Sequence, residues 1–108
     1  MGYRVDTIAP FRKEAKKLIK KYPSLKNELE ELGSQLGSDP TAGTALGDSC
    51  YKIRLSIASK GKDKSGGARV ITHFYVSQDT VFLLSIYDKS EKENISDKQI
   101  KALLKLIQ

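Results

Sequence analysis

The stretch from Cys50 to Tyr75, CYKIRLSIASKGKDKSGGARVITHFY, decides the fold of this chain. Two runs rich in β-branched and aromatic residues, 51–57 and 68–76, have the composition of half-buried strands. They flank a loop rich in glycine and lysine. Because side chains alternate between the two faces of a strand, the basic residues of these runs predict a fixed positive surface beside a basic loop. Such a surface suits a phosphate backbone.

The basic residues of the two strands are expected on one shared face. In the run 51–57, Lys52 and Arg54 point away from the apolar positions, and those apolar positions would face the helices. If neighbouring strands pair with their apolar faces together, Arg69 joins Lys52 and Arg54 on an open, concave face of the sheet. Lys89, just after a later strand, can reach the same rim.

Length, charge and composition limit the classes of protein to which this chain can belong. A chain of 108 residues is expected to form one domain, residues 1–108. The net charge of +6 favours nucleic acid or an acidic protein partner, with an ordinary solvated basic surface as the alternative. Cys50 and His73 are the only residues of their kinds, so we predict no disulfide, metal or cofactor. No run is apolar and long enough to span a membrane, and we expect a cytoplasmic protein without a membrane partner.

The periodicity predicts an α+β fold in the order βααβββα, with an antiparallel-rich sheet, an N-terminal helical hairpin and a C-terminal helix. Residues 3–8 read as the first strand, and Pro23 separates two amphipathic helices, the second capped by Ser24. The segment 33–49 has four glycines and is expected to be a loop. Strands follow at 51–57, 68–76 and 80–87. Ser96 and Gln99 form a capping box that begins the last helix.

Clustered cations with little carboxylate can cleave RNA through its own 2′-hydroxyl. That reaction needs a group to take the hydroxyl proton, positive charge on the phosphorane and a donor for the leaving 5′-oxygen. A lysine crowded by other cations could take the proton, while arginine stays charged and stabilises the phosphorane. A non-catalytic RNA-binding face would have a similar pattern, so the residues alone leave both readings open.

A second basic stripe lies on the first predicted helix. It consists of Lys13, Lys16, Lys17 and Lys20. An ordinary solvated helix face explains it, and the functional alternative is a second contact for RNA phosphates.

Three segments, CYKIRL, SGGARVI and LLSIYDKSEKENIS, resemble the RelE/HigB superfamily of bacterial type II toxin–antitoxin toxins, in its HigB-like branch. The resemblance covers nearly the whole chain and implies a compact RelE-like fold. It also implies a ribosome-dependent, metal-independent mRNA endonuclease that cuts the codon in the ribosomal A site and inhibits translation. The implied partners are the ribosome, its mRNA and a co-encoded antitoxin, which we expect to be of helix-turn-helix type. The sequence leaves the oligomeric state open.

The resemblance assigns roles residue by residue. Lys52 matches a strand lysine that acts as, or assists, the general base. Arg54 matches the next position on that face, where the family carries a lysine or arginine that stabilises charge. Arg69 matches an arginine that contacts the scissile phosphate, and Lys89 falls near a basic residue that serves as acid or phosphate contact. Some relatives have a tyrosine that stacks on the mRNA base where this chain has Ile95. The residues expected to contact RNA are Lys60, Lys62, Lys64, His73 and Tyr87, of which Tyr87 or His73 could replace that tyrosine.

Two other classes compete with the endonuclease. One is a relative of the same fold that does not cut RNA, such as a ParE-like gyrase inhibitor or an inactive toxin. ParE-like relatives usually lack the paired strand cations, so Lys52, Arg54, Arg69 and Lys89 argue against it. The other is a simple single-stranded RNA-binding domain, which normally interleaves exposed aromatic residues with basic ones. For His73 itself, a packed sheet position is a better explanation than a general base, because no carboxylate is evidently placed to orient it.

Overall fold

The structure is a computed structural model that describes residues 2–60 (for Lys60 the backbone alone), 66–92 and 94–107. Its elements in chain order are β1 (Arg4–Thr7), α1 (Ala9–Lys21), α2 (Leu25–Ser38), β2 (Thr44–Gly47), β3 (Cys50–Leu55), a 3₁₀ turn (Ala58–Lys60), β4 (Ala68–Tyr75), a second 3₁₀ turn (Val76–Gln78), β5 (Thr80–Asp88) and α3 (Asp97–Leu104). The predicted α+β class and helical hairpin are confirmed. Among the described residues, no helix is long and apolar enough to cross a membrane.

The five strands form one sheet in the order β1-β5-β4-β3-β2. β1 runs parallel to β5, and the other three neighbouring pairs are antiparallel, as the sequence predicted. β4 therefore lies at the centre, between β5 and β3. Ile53, Val70 and Ile86 stand opposite one another on three neighbouring strands and form a buried row on one face.

The helical hairpin covers that row. Pro10 lies in the first turn of α1, where its missing N–H costs nothing, and α1 ends before Pro23. The buried residues of the two helices recur at helical spacing; they are Phe11, Ala15 and Leu18 in α1 and Leu25, Leu32 and Leu36 in α2. Fully burying a leucine side chain contributes about 1.5–3 kcal/mol, so this face holds the hairpin on the sheet.

The segment 33–49, predicted to be a loop, is mostly regular structure. α2 continues to Ser38, and the carbonyl of Gly37 accepts a 2.7 Å hydrogen bond from the N–H of Tyr3, so a close backbone approach compensates for the weak helix propensity of glycine. The strand β2 turns into β3 through Gly47 and Asp48, both at positive φ. Backbone pairing rather than apolar burial makes this exposed edge strand, which is why hydrophobic periodicity did not reveal it.

The second face of the sheet, which the sequence predicted to be open, is covered in part. The first six residues of β4, 68–73, are all buried instead of alternating. α3 lies against this face, because Leu104 and Lys101 line the same cavity as His73. The predicted capping box begins α3: Ser96 Oγ accepts from the N–H of Gln99 at 3.1 Å, and Gln99 Oε1 accepts from the N–H of Ser96 at 3.0 Å.

Candidate active site

The register of the sheet brings the two predicted arginines together. Arg54 on β3 stands directly opposite Arg69 on β4, and Arg69 stands opposite Tyr87 on β5. These three residues form a row across one face of the sheet, which we call the arginine row. Lys52 occupies the next position of that face on β3, opposite Ile71. The prediction that Arg69 shares a face with Lys52 and Arg54 is confirmed.

The members of the arginine row differ in their access to solvent. Arg54 is exposed, whereas Arg69 is only 4% exposed. The Arg69 guanidinium donates from Nη1 to the carbonyl of Ala68 at 3.0 Å. Its surroundings are those of a central strand, because Ala68 and Val70 on either side are fully buried. The expected open face is therefore closed at Arg69 and open at Arg54.

Lys89 extends the sheet beyond its last paired residues. Asp88 is the register partner of Ala68, and the N–H of Lys89 then donates to the carbonyl of Gly67 at 3.0 Å. This bond brings Lys89, which is half-buried, to the end of the sheet that carries Arg69. A Cβ on Gly67 would lie 2.1 Å from the carbonyl oxygen of Leu55, so only glycine allows β3 to approach here.

Asp88 fixes the end of β5, a role that the sequence analysis missed. Its buried carboxylate accepts a hydrogen bond from Tyr22 Oη at 3.1 Å. Ser90 donates to the same carboxylate from its N–H at 3.0 Å and from Oγ at 2.8 Å. An aspartate followed two residues later by serine is a turn signal in the sequence. Tyr22 lies 66 residues away from Asp88 in the sequence, and no sequence pattern predicts this contact.

His73 is a packed sheet residue, as predicted. It is 9% exposed, and its Nδ1 lies 3.6 Å from Cys50 Sγ on the neighbouring strand. Burial lowers the His73 pKa, partly opposed by hydrogen bonding with the backbone of Asp48. Burial, with a smaller contribution from Asp48, raises the pKa of the Cys50 thiol to about 11. The thiol is therefore neutral and suited to packing rather than to nucleophilic attack.

Tyr87 is buried as well, with 6% of its surface exposed. Within the described part of the chain, its hydroxyl is buried and has no hydrogen-bond partner. Burial raises the Tyr87 pKa, and the nearby positive charge of Arg69 opposes this rise. Neither Tyr87 nor His73 exposes a ring face on which an RNA base could stack in this conformation, so their assignment to RNA contact stays a prediction.

The predicted basic loop falls mainly on residues that are not described. Lys62 and Lys64 lie outside the described residues, and of Lys60 only the backbone is described. The segment that leads into this loop is firmly held on α2. Ser59 N–H donates to Ser24 Oγ at 2.9 Å, and the N–H of Ala58 donates to Glu28 Oε2 at 2.7 Å. Ser24 stands at the N-cap of α2, as predicted, but its side chain contacts this distant turn and makes no capping hydrogen bond to α2.

Metal ligands do not cluster in the described ranges 2–60, 66–92 and 94–107: no group of three or more His, Cys, Asp or Glu side chains there could hold an ion. The absence of a metal or cofactor requirement stays a prediction. The candidate site is a set of cations, with Lys52 and Arg54 on β3, Arg69 on β4 and Lys89 just after β5, and its role in catalysis stays a prediction.

Comparisons with known proteins agree with this fold. The model of a protein family described as RelE toxin of the RelE/RelB toxin–antitoxin system matches residues 4–108. A free-state E. coli toxin RelE with two arginines changed to alanine is structurally similar, with a TM-score of 0.67 and 22% identity over 100% of both chains. A metal-bound toxin from Helicobacter pylori has a TM-score of 0.53 at 19% identity, over 82% of this chain and 97% of that one. The isolated E. coli RelE toxin has a TM-score of 0.51 at 23% identity, over 95% and 97%.

Proposed function

This chain belongs to the RelE toxin family, and we propose that it is a ribosome-dependent, metal-independent endoribonuclease that cuts mRNA in the A site and so inhibits translation. Its assignment to the HigB-like branch is part of this proposal and rests on the three sequence segments quoted above. As a member of this family, the chain is a toxin of a toxin–antitoxin system, and its antitoxin is the partner that would inhibit it.

The arginine row is the observation that carries the proposal. Like charges directly opposite each other on neighbouring strands destabilise a sheet, yet Arg54 and Arg69 hold this relationship. A phosphodiester bound at the row would offset part of this repulsion and receive planar, forked hydrogen bonds from the exposed Arg54 guanidinium. Arg54 is exposed and would make the first contact, while Arg69 adds positive charge from within the sheet.

The proposed reaction is transesterification within the RNA. The 2′-oxygen attacks phosphorus, the bond from phosphorus to the 5′-oxygen breaks, and the products are a 2′,3′-cyclic phosphate and a 5′-hydroxyl. Lys52 takes the 2′-hydroxyl proton, and Lys89 gives a proton to the leaving 5′-oxygen. Arg54 and Arg69 stabilise the additional negative charge of the phosphorane.

The antitoxin would inhibit by covering this cationic surface or by blocking entry to the A site. The net charge of +6 favours an acidic segment in that partner and rapid association at low salt. Binding of the free chain to ribosomes should weaken steeply as salt increases, because phosphate contacts release counterions. Binding that does not change with salt would exclude the cationic surface as the contact.

Expression in bacteria tests the proposal. The chain expressed alone should arrest growth, and primer extension on a translated message should reveal cuts in phase with codons. The same message with its start codon removed should stay intact, because it does not enter ribosomes. Normal growth at good expression, or equal cutting of the untranslated message, would contradict ribosome-dependent cleavage.

A further inference from the structure

The outer side of α1 carries a stripe of lysines that the proposed reaction does not use. This α1 stripe consists of Lys13, Lys16, Lys17 and Lys20, and all four side chains are exposed. Because an α-helix has 3.6 residues per turn, the four positions cover only about 100° of the helix surface, directly opposite the buried residues of α1. The stripe therefore points straight away from the sheet.

The α1 stripe and the arginine row belong to opposite faces of the molecule. The helical hairpin covers the face of the sheet that carries Ile53 and Val70. Arg54 and Arg69 are their neighbours in the sequence, so these side chains leave the sheet on the other face. A chain that binds mRNA through the arginine row thus leaves the stripe free for a second partner.

Three lysines of the stripe have no carboxylate to balance them. Lys13, Lys16 and Lys20 take part in no ion pair within the part of the chain that the structure describes. The one acidic residue of α1, Glu14, is half-buried and accepts a hydrogen bond from Ser85 Oγ at 2.9 Å, so it serves the packing against β5. The stripe is therefore a positive surface at these three positions.

This arrangement is unfavourable for the unbound chain. Like charges three or four residues apart on a helix repel each other, and Lys16 stands in this relation to both Lys13 and Lys20. Lys17 differs, because the cavity that it lines also contains carboxylates that balance part of its charge. A polyanion bound along the stripe would offset the repulsion among the other three lysines.

The chemistry of the stripe indicates what kind of polyanion it fits. Except for Ala9, every exposed residue of α1 is lysine or arginine. Protein partners normally dock around a buried apolar or aromatic anchor, and single-stranded RNA stacks its bases on aromatic side chains. A duplex needs neither, because its bases already stack on one another and its outer surface is phosphate. Lysine contacts phosphate as a mobile point charge, which suits recognition of a backbone without reading its sequence.

We propose that the α1 stripe binds the phosphate backbone of double-stranded RNA, which on the ribosome is a ribosomal RNA helix beside the A site. This location of the partner rests on the ribosome-dependent function proposed above. The arginine row then acts on mRNA, while the stripe anchors the chain from the opposite face. The stripe contacts no reacting atom, so it contributes to binding and not to the chemical step.

Binding to a short, fluorescein-labelled RNA duplex at several salt concentrations tests the stripe without ribosomes. The stripe variant combines Lys13→Gln, Lys16→Gln and Lys20→Gln. Each contact with a duplex phosphate contributes about 0.9 to the slope of log affinity against log salt, so this variant should lose about 2–3 of that slope. At about 0.1 M salt, we expect its affinity to be at least about ten-fold lower than that of the wild type.

The chain contains a matched control on the other face of the sheet. Three lysines at and just after the end of α3 are exposed and have the same spacing of three and four residues; they are Lys98, Lys101 and Lys105. Changing these three to glutamine removes the same net charge, and we expect a loss of less than about three-fold in affinity for the duplex. An equal loss of slope in the two variants would overturn the proposal, because the general field of the chain would then explain binding.

Thermal unfolding separates docking from a structural role. The stripe variant should melt at or above the wild-type temperature, because it removes repulsion between exposed lysines and glutamine is a comparable helix former. A lower melting temperature with an unchanged salt slope would overturn the assignment of these lysines to RNA. A hexaglutamate peptide that binds the wild type as tightly as the duplex would also overturn it, since the surface would then fit an acidic protein.

Cleavage on ribosomes places the duplex contact in the reaction. The stripe variant should raise the KM for ribosomes at least about five-fold and keep kcat within about two-fold of the wild type. A wild-type chain that cleaves on ribosomes while the stripe variant matches it in KM and in duplex binding refutes the stripe alone. Duplex binding that depends on the stripe, without any cleavage on ribosomes, refutes the proposed function alone.

Discussion

Arg54 lies directly opposite Arg69 in the antiparallel register of β3 and β4, and only Arg54 is exposed. Residues opposite each other on neighbouring strands have Cβ atoms about 4.5–5.5 Å apart, so the sheet itself fixes the spacing of the two cations. The helical hairpin on one face and α3 on the other hold these strands. The candidate active surface is consequently built on inner strands of the sheet.

The burial of Arg69 predicts that Arg69→Ala costs stability as well as activity. An open face would have allowed this substitution without loss of stability, but the side chain is 4% exposed and bonds the carbonyl of Ala68. We expect about 1–3 kcal/mol of destabilisation in urea unfolding, within the range for losing a buried polar contact. Unchanged stability would contradict the buried position.

Gly67→Ala should be strongly destabilising, because the new Cβ would lie 2.1 Å from the carbonyl oxygen of Leu55 and push β3 away from β4. We expect a loss of more than about 2 kcal/mol in urea unfolding. Gly33→Ala is the matched control. It lies inside α2 with nothing within 4 Å of the added Cβ, so it should stabilise the chain by about 0.5–1 kcal/mol. Equal effects at both glycines would refute the close approach of the strands.

The lowered His73 pKa predicts acid sensitivity of the fold. An unfolded histidine titrates near pH 6.5, whereas burial makes folded His73 bind its proton only at lower pH. As pH falls through about 6.5, the unfolded state therefore binds more protons, and stability declines; above that pH, this group contributes no slope. Because His73 is the only histidine, His73→Gln should reduce the loss of stability between about pH 7 and 5. An identical pH profile for this variant would contradict a lowered pKa.

The raised pKa of Cys50 predicts an inert thiol. A shift from 9.0 to about 11 reduces the thiolate fraction near neutral pH by about 100-fold, and burial blocks access further. Maleimide should therefore label the folded chain at least about 100-fold more slowly than the urea-unfolded chain. Rapid labelling of the folded chain would show that the end of β3 opens easily.

Local signals predicted most of the fold. Pro23 and the spacing of the leucines predicted the helical hairpin, and the capping box of Ser96 and Gln99 predicted the start of α3. Strand β2 was missed because it is exposed and held by backbone pairing to β3. The sheet alternation placed Arg54 and Arg69 on one face, but it could not show that the central position of β4 buries Arg69.

The contacts that fix the candidate site are non-local. The hydrogen bond between Tyr22 and Asp88 joins residues that are 66 apart in the sequence. The hydrogen bonds of Ala58 to Glu28 and of Ser59 to Ser24 join residues that are 30 and 35 apart. No periodicity in a single sequence encodes such pairs. The hydrogen bond from Ser85 on β5 to Glu14 on α1, which joins residues 71 apart, is another such contact.

Cleavage of mRNA by the purified chain, with and without ribosomes, tests the central claim most directly. Arg54→Ala removes the exposed member of the arginine row, and Arg4→Ala removes an exposed arginine of the edge strand β1. We predict rapid cutting of the A-site codon on ribosomes, little cutting of free mRNA, a loss of about 100-fold or more in Arg54→Ala, and near wild-type rates in Arg4→Ala. Equal rates for the two variants, or equal cutting of free mRNA, would contradict the account.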